Sequence, residues 1–227
     1  MWFFIWFLLS LFVLGVFGWS LLILEAQKKA WRSYAKKYGM EYRTGRFMDS
    51  PALAGRIDKR RVFIYTNAKQ TADLRGQRFV TVIEIEMGHG IPAGGGLFAT
   101  ADMALLADQF NFSDTFVPMA GAKNDWNSAY LVRCRDAKAV EAYLTPARQK
   151  ILHTIFSMKN AAALFVFDEH EAVLRVETAD PLRDPERLEK IVTQFLSAIQ
   201  KLAPGKTDKE AQPAAIDADL TENQPNP

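Results

Sequence analysis

Charge is missing from the first part of the chain: Met1–Leu24 contains no Asp, Glu, Lys or Arg. Cysteine is nearly absent, with Cys134 standing alone, so no intramolecular disulfide can form, as suits a reducing compartment. Histidine occurs at His89, His153 and His170 only, and these positions make no standard metal-ligand spacing with one another or with Cys134. GxSxG, the kinase signatures and the Walker lysine are all lacking, so the common acyl- and phosphoryl-transfer chemistries have no mark here. Net charge is +2 over 227 residues, and much of the positive side sits just after the uncharged run. The remainder is near neutral, without the basic footprint of a nucleic-acid binder. No metal, no cofactor and no nucleic-acid partner is expected.

What is present begins with that uncharged run. At about 1.5 Å per residue it is long enough to cross a hydrocarbon core of about 30 Å. A cleaved signal peptide would carry a basic residue ahead of a shorter apolar core and a small residue before the cut. Here no Lys or Arg precedes the run, and Leu24 occupies the place that wants a small side chain. Residues 1–24 therefore read as a retained transmembrane helix. Gly15 and Gly18 are out of GxxxG register, so no helix-dimer motif is indicated. Lys28, Lys29, Arg32, Lys36 and Lys37 follow the run, and the positive-inside rule places the C-terminal bulk in the cytoplasm. The same five residues are candidates for contact with anionic headgroups, the lipid bilayer being the first expected partner.

Residues 25–39 read as a basic amphipathic juxtamembrane helix. Trp31, Tyr34, Ala35 and Tyr38 form one stripe, and Gly39 is a fitting stop. An aromatic stripe beside a domain is expected to pack on it, leaving the lysines to set topology.

Residues 40–203 read as an α+β globular domain, a mainly antiparallel sheet with helices packed on one side. Strands are expected at Met40–Arg43, Ala54–Ile57, Arg61–Thr66, Arg78–Glu86, Leu97–Thr100, Trp126–Cys134, Ala162–Phe167 and Ala172–Glu177, from β-formers in alternation. The second and third should form a hairpin around Asp58-Lys59-Arg60. Short helices are expected at Ala101–Phe110 and Ala137–Leu144, the latter capped by Asp136. Another should start at Thr145-Pro146 and bury Ile151, Leu152, Ile155 and Phe156. The last should start at Asp184-Pro185, with Leu188, Ile191, Val192, Phe195, Ile199 and Leu202 as its apolar stripe. Thr71–Gln77 and Asn111–Asn124 read as loops. Residues 204–227 lack aromatic residues and apolar periodicity and are expected to be disordered.

The candidate site with the most chemistry in it is the glycine-rich stretch Met87–Gly96. Gly88, His89, Gly90, Gly94, Gly95 and Gly96 offer backbone N–H groups for an anion and one base. Glycine clusters more often mark a connecting turn, and this spacing is not the dinucleotide fingerprint. Glu84 and Glu86 lie on one side of a strand, as an acid–base pair or as a wet strand end. Cys134 falls on a buried face as an inert thiol.

Trp31-x-x-x-Ala35-x-x-x-Gly39, the Leu53-x-Gly55 to Arg61-Val62-x-Ile64 hairpin and the closing Ala162–Leu202 segment give the chain a family likeness. With its N-terminal anchor it resembles uncharacterised bacterial single-pass membrane-anchored proteins. That resemblance implies no known activity and no catalytic residue. The expectation is a non-enzymatic interaction or scaffolding module, single-pass in the bacterial inner membrane, with its domain on the cytoplasmic face and another protein as partner. The alternative is a ligand-sensing or enzymatic domain using the loop around His89.

Overall fold

The uncharged run and the basic segment fold as one helix, α1 (Trp2–Tyr38), with no break between them. The computed structural model describes residues 2–46, 48–70, 77–107 and 130–204. Helix α1 is long and apolar enough to cross a membrane, and none of its most apolar window is buried in the protein. It ends at Gly39, whose φ of 64° only glycine adopts freely, and the Met40 N–H closes the last turn on the Ala35 carbonyl at 2.9 Å.

Among the described residues the sheet has eight strands, all antiparallel, in the order β1-β2-β3-β4-β8-β7-β5-β6. These are β1 (Glu41–Arg43), β2 (Ala52–Ile57), β3 (Arg60–Gln70), β4 (Gln77–Glu86), β5 (Gly96–Thr100), β6 (Tyr130–Cys134), β7 (Ala161–Phe167) and β8 (Ala172–Thr178). The fold is thus α+β, as the alternation in the sequence indicates. The β2–β3 turn is tighter than expected: Ile57 pairs with Arg60, and only Asp58 and Lys59 remain in the bend. Their φ values of 51° and 67° match the two-residue hairpin whose twist suits the flanking strands.

A 3-10 turn at Ala101–Met103 leads into the single-turn α2 (Ala104–Ala107). Further on come α3 (Ala137–Tyr143), α4 (Pro146–Phe156) and α5 (Pro185–Leu202). Asp136, Thr145 and Asp184 accept backbone N–H groups at the starts of α3, α4 and α5, as their positions in the sequence suggest. At the other ends, the buried Arg148 donates to the Tyr143 and Ala203 carbonyls at 2.9 and 3.1 Å, joining the C-termini of α3 and α5.

One face of the sheet carries the main core. Val62, Ile64, Ile83, Ile85, Phe98, Phe165, Phe167, Leu174 and Val176 meet the apolar sides of α1, α3, α4 and α5 there. On α5, Leu188, Val192, Phe195, Ile199 and Leu202 are buried as the period requires, and Ile191 sits at the margin. The helices are not all on that face, however. Met103 packs with Leu97, Ala99, Ala162 and Leu164 on the opposite face, because β5 and β7 are apolar on both sides. The expected loop 71–76, Phe110, residues 111–129 and the tail from Gly205 lie outside the described residues.

Candidate functional site

The last third of α1 belongs to the domain core. Gln27, Ala30, Trp31, Tyr34 and Ala35 are buried, and the Trp31 indole N–H donates to the Leu182 carbonyl at 3.2 Å. Burying the aromatic stripe on the domain, rather than laying it on lipid, gives α1 the larger apolar contact. The Lys37 ammonium holds both Glu189 carboxylate oxygens at 2.6 and 2.7 Å, and the Tyr38 hydroxyl donates to the same group at 2.9 Å. The ammonium, then the hydroxyl, keep the Glu189 carboxyl below the usual range. Glu189 on α5 had no signal of its own in the sequence, since nothing local links it to Lys37.

The five basic residues therefore divide. Lys29, Arg32 and Lys36 are exposed and Lys28 half-buried, whereas Lys37 reaches Glu189 on α5. Arg32 lies over the Tyr42 ring at 5.2 Å. Along the axis, Lys28 and Lys29 stand about 6–8 Å beyond Leu24, and Lys36 about 18 Å. Of the five, Lys28 and Lys29 alone stand within about one Debye length, roughly 8–10 Å, of the end of the uncharged run.

The glycine-rich loop lies at the far end of the sheet. Gln27 donates to the Thr66 hydroxyl, and Thr66 pairs with Thr81, so that row of β3 and β4 stands beside the start of the buried part of α1. From Thr81 to Glu86 the strand runs about 17 Å away from the anchor, and the loop follows. The loop is tied down at several points. Met87 N–H donates to the Ala172 carbonyl and Ile91 N–H to the Asp168 carbonyl, both at 2.7 Å, and Ile91 and Ala93 are buried.

Two of the glycines answer to packing. A Cβ on Gly90 would overlap the Glu169–His170 peptide, and one on Gly96, the first residue of β5, would meet the Phe167 ring at 2.6 Å. Gly88 and His89 are exposed at the bend, while Gly94 and Gly95 take φ values of 69° and 95°. The loop thus brings His89 near the β7–β8 turn that holds His170. In that turn the Asp168 carboxylate accepts the Glu171 and His170 N–H groups, each at 2.7 Å, and these bonds lower its pKa. Among the described residues, no three His, Cys, Asp or Glu side chains converge as metal ligands.

The sheet face opposite the main core carries a charge cluster that sequence reasoning missed. Arg175 donates to Glu84 and to Glu177, each at 2.7 Å, and to the Tyr65 hydroxyl at 3.1 Å. Tyr65 in turn donates to Glu84 at 2.9 Å, and Lys69 stands 3.5 Å from Glu177. Burial and the Glu84 carboxylate push the Tyr65 phenol up to about 12. Glu84 and Glu86, adjacent on this face, are thus taken by separate guanidinium groups, Glu86 by Arg61 at 3.5 Å. A pair sharing one proton needs two carboxylates facing each other, and here each faces a cation. The sequence signal was opposite charge on the outward positions of β4 and β8, readable only once those strands are known to pair. Cys134 is buried, as expected, and burial raises its thiol pKa.

No protein-family model matches the chain, and no curated protein matches it. Among solved structures, the crystal structure of the mycobacterial trehalose monomycolate transport factor A, TtfA, is similar over 79% of this chain and 97% of that one. The identity is 14% and the TM-score 0.43, a likeness too slight to carry an argument about this chain.

Proposed function

We propose that this chain is a single-pass, membrane-anchored interaction module, non-enzymatic, whose domain stands at the cytoplasmic face of the inner membrane and positions a partner protein there. The observation that carries the reading is α1 itself. Its apolar side chains from Trp2 to Phe17 are almost all exposed to the surroundings, while the same helix from Gln27 onward is core. A contiguous apolar surface of that length needs a cover, and a bilayer is the cover whose thickness it matches. The cytoplasmic side is supported by Lys28, Lys29, Arg32 and Lys36 directly after the run. The non-enzymatic part is supported by the pairing of Glu84 and Glu86 with arginines and by the packing role of Gly90 and Gly96.

The test has two parts. In a Cys134→Ser background, Lys206→Cys is probed on intact cells with a membrane-impermeant maleimide. Labelling only after lysis is expected, and labelling of intact cells would refute the orientation. The full chain is then captured in mild detergent beside a version ending at Gly39. Partners that bind the first and not the second are expected, and identical captures would refute the interaction role.

A further inference from the structure

Outside α1, two large apolar side chains stand exposed among the described residues: Phe79, 64% exposed, and Met48, 54%. Both belong to the end of the domain nearest the anchor. Phe79 pairs with Ala68 in the β3–β4 hairpin, two rows beyond the Thr66–Thr81 row that meets Gln27. Two rows of strand are about 7 Å, which along a helix is about four to five residues. Phe79 therefore lies about 7 Å further toward the start of α1 along the strand than the row that meets Gln27. It also lies on the α1 side of the sheet, continuing the row Ile85, Ile83, Thr81 past the point where α1 and α5 cover it. Met48 follows the same logic: β1 ends at Arg43, which pairs with Ala52, and the chain leaves the sheet there toward the anchor. Along α1 the exposure falls over the same stretch, with Leu21, Ile23 and Leu24 half-buried.

We infer that the Ala68–Phe79 row of β3 and β4 rests in the headgroup region of the bilayer, with Phe79 inserted, so that the domain meets the membrane at a second point beside α1. The inference rests on the reading of α1 as a spanning helix. A phenylalanine ring carries no polar group, so moving it out of water into the apolar side of the interface is favourable by the area it buries. The exposed Arg46 lies at the same end beside the acidic Asp49, while Lys69 is turned to the opposite face, toward Glu177 and the Asp102 carbonyl. The contact is therefore mainly apolar, and salt should weaken it little.

The experiment uses the full chain in a Cys134→Ser background, with single cysteines at Phe79→Cys, His89→Cys or Phe12→Cys carrying an environment-sensitive fluorophore. Each is reconstituted in phosphatidylcholine–phosphatidylglycerol vesicles containing lipids with a nitroxide high on the acyl chain. The expected result is loss of fluorescence at 12 and 79 and none at 89. Loss at 12 with a label at 79 as bright as at 89 overturns the second contact and leaves the anchor standing. No loss at 12 overturns the anchor reading and this one with it. Equal loss at 79 and 89 shows a domain lying on the bilayer without this orientation, and that too overturns the inference.

Discussion

Replacing Trp31 by alanine tests whether the anchor helix is truly part of the domain. Trp31 is fully buried, and its indole N–H is bonded to the carbonyl of Leu182. Leu182 is itself buried with a φ of 49°, a conformation costly for a side-chain-bearing residue. Among the bonds that hold that bend, Asp180 accepts the Leu182 N–H at 2.9 Å, Thr81 donates to the Asp180 carbonyl at 2.7 Å, and Trp31 donates to the Leu182 carbonyl. Removing a buried tryptophan costs about 3–5 kcal/mol in lost transfer and cavity formation. A domain of about 150–250 residues shifts its melting temperature by about 2–4 °C per kcal/mol, so the loss should be about 6–20 °C. Trp31→Phe keeps most of the volume and gives up the hydrogen bond, which is worth about 1 kcal/mol or somewhat more with the carbonyl left unpaired. Its shift should be a small fraction of the alanine one. Melting is followed by circular dichroism on the full chain in detergent. A shift below about 2 °C for Trp31→Ala would mean that less than about 1 kcal/mol ties α1 to the domain, and the union of anchor and core described above would be wrong.

Other perturbations follow from the same packing. Gly90→Ala forces its new Cβ into the Glu169–His170 peptide, whereas Gly88→Ala meets open space and only a φ of 79°. Overpacking against backbone should cost about 1–3 kcal/mol, and chemical denaturation should rank Gly90→Ala as the more harmful of the two. Arg175→Ala leaves Glu84 and the buried Glu177 on one face without their shared cation, and a loss of about 3 kcal/mol or more is expected in the same assay. The Asp168 carboxyl is held below its usual range by the Glu171 and His170 N–H groups, so its contribution is present above about pH 4 and lost as pH falls through the lowered folded value. The gap in melting temperature between the wild type and Asp168→Ala should accordingly narrow between about pH 5 and pH 3. A gap constant across that range would show that the carboxylate's charge is not what matters in the turn.

Local chemistry explains what was legible in advance. Helix starts at Asp136, Thr145 and Asp184 and the stripe on α5 are written within a few residues of one another, and they stand where the pattern puts them. The α+β alternation likewise yields the strands, and the stripe of Trp31, Tyr34 and Ala35 marks the buried side of α1. What could not be read depends on partners distant in the chain. Lys37 looks like its basic neighbours until α5 brings Glu189 to it, 152 residues away in sequence. Glu84 looks like half of a carboxylate pair until β8, not a neighbour in sequence, lays Arg175 across it. The glycine loop shows the same gap: its composition announces irregular backbone, but only the crossing of the β7–β8 turn explains why Gly90 must be bare.

The absence of any break in α1 between Leu24 and Tyr38 has a mechanical consequence. With no hinge, and on the spanning reading proposed above, whatever angle a bilayer imposes on the apolar run is handed directly to the domain. The part of α1 beyond Leu24 is about 21 Å long, so a 10° change in tilt swings its end sideways by about 4 Å. Helices accommodate thicker or thinner bilayers by tilting, over a range of about 0–40°. On the spanning reading proposed above, local membrane thickness would thus set the height and lean of the far end of the sheet.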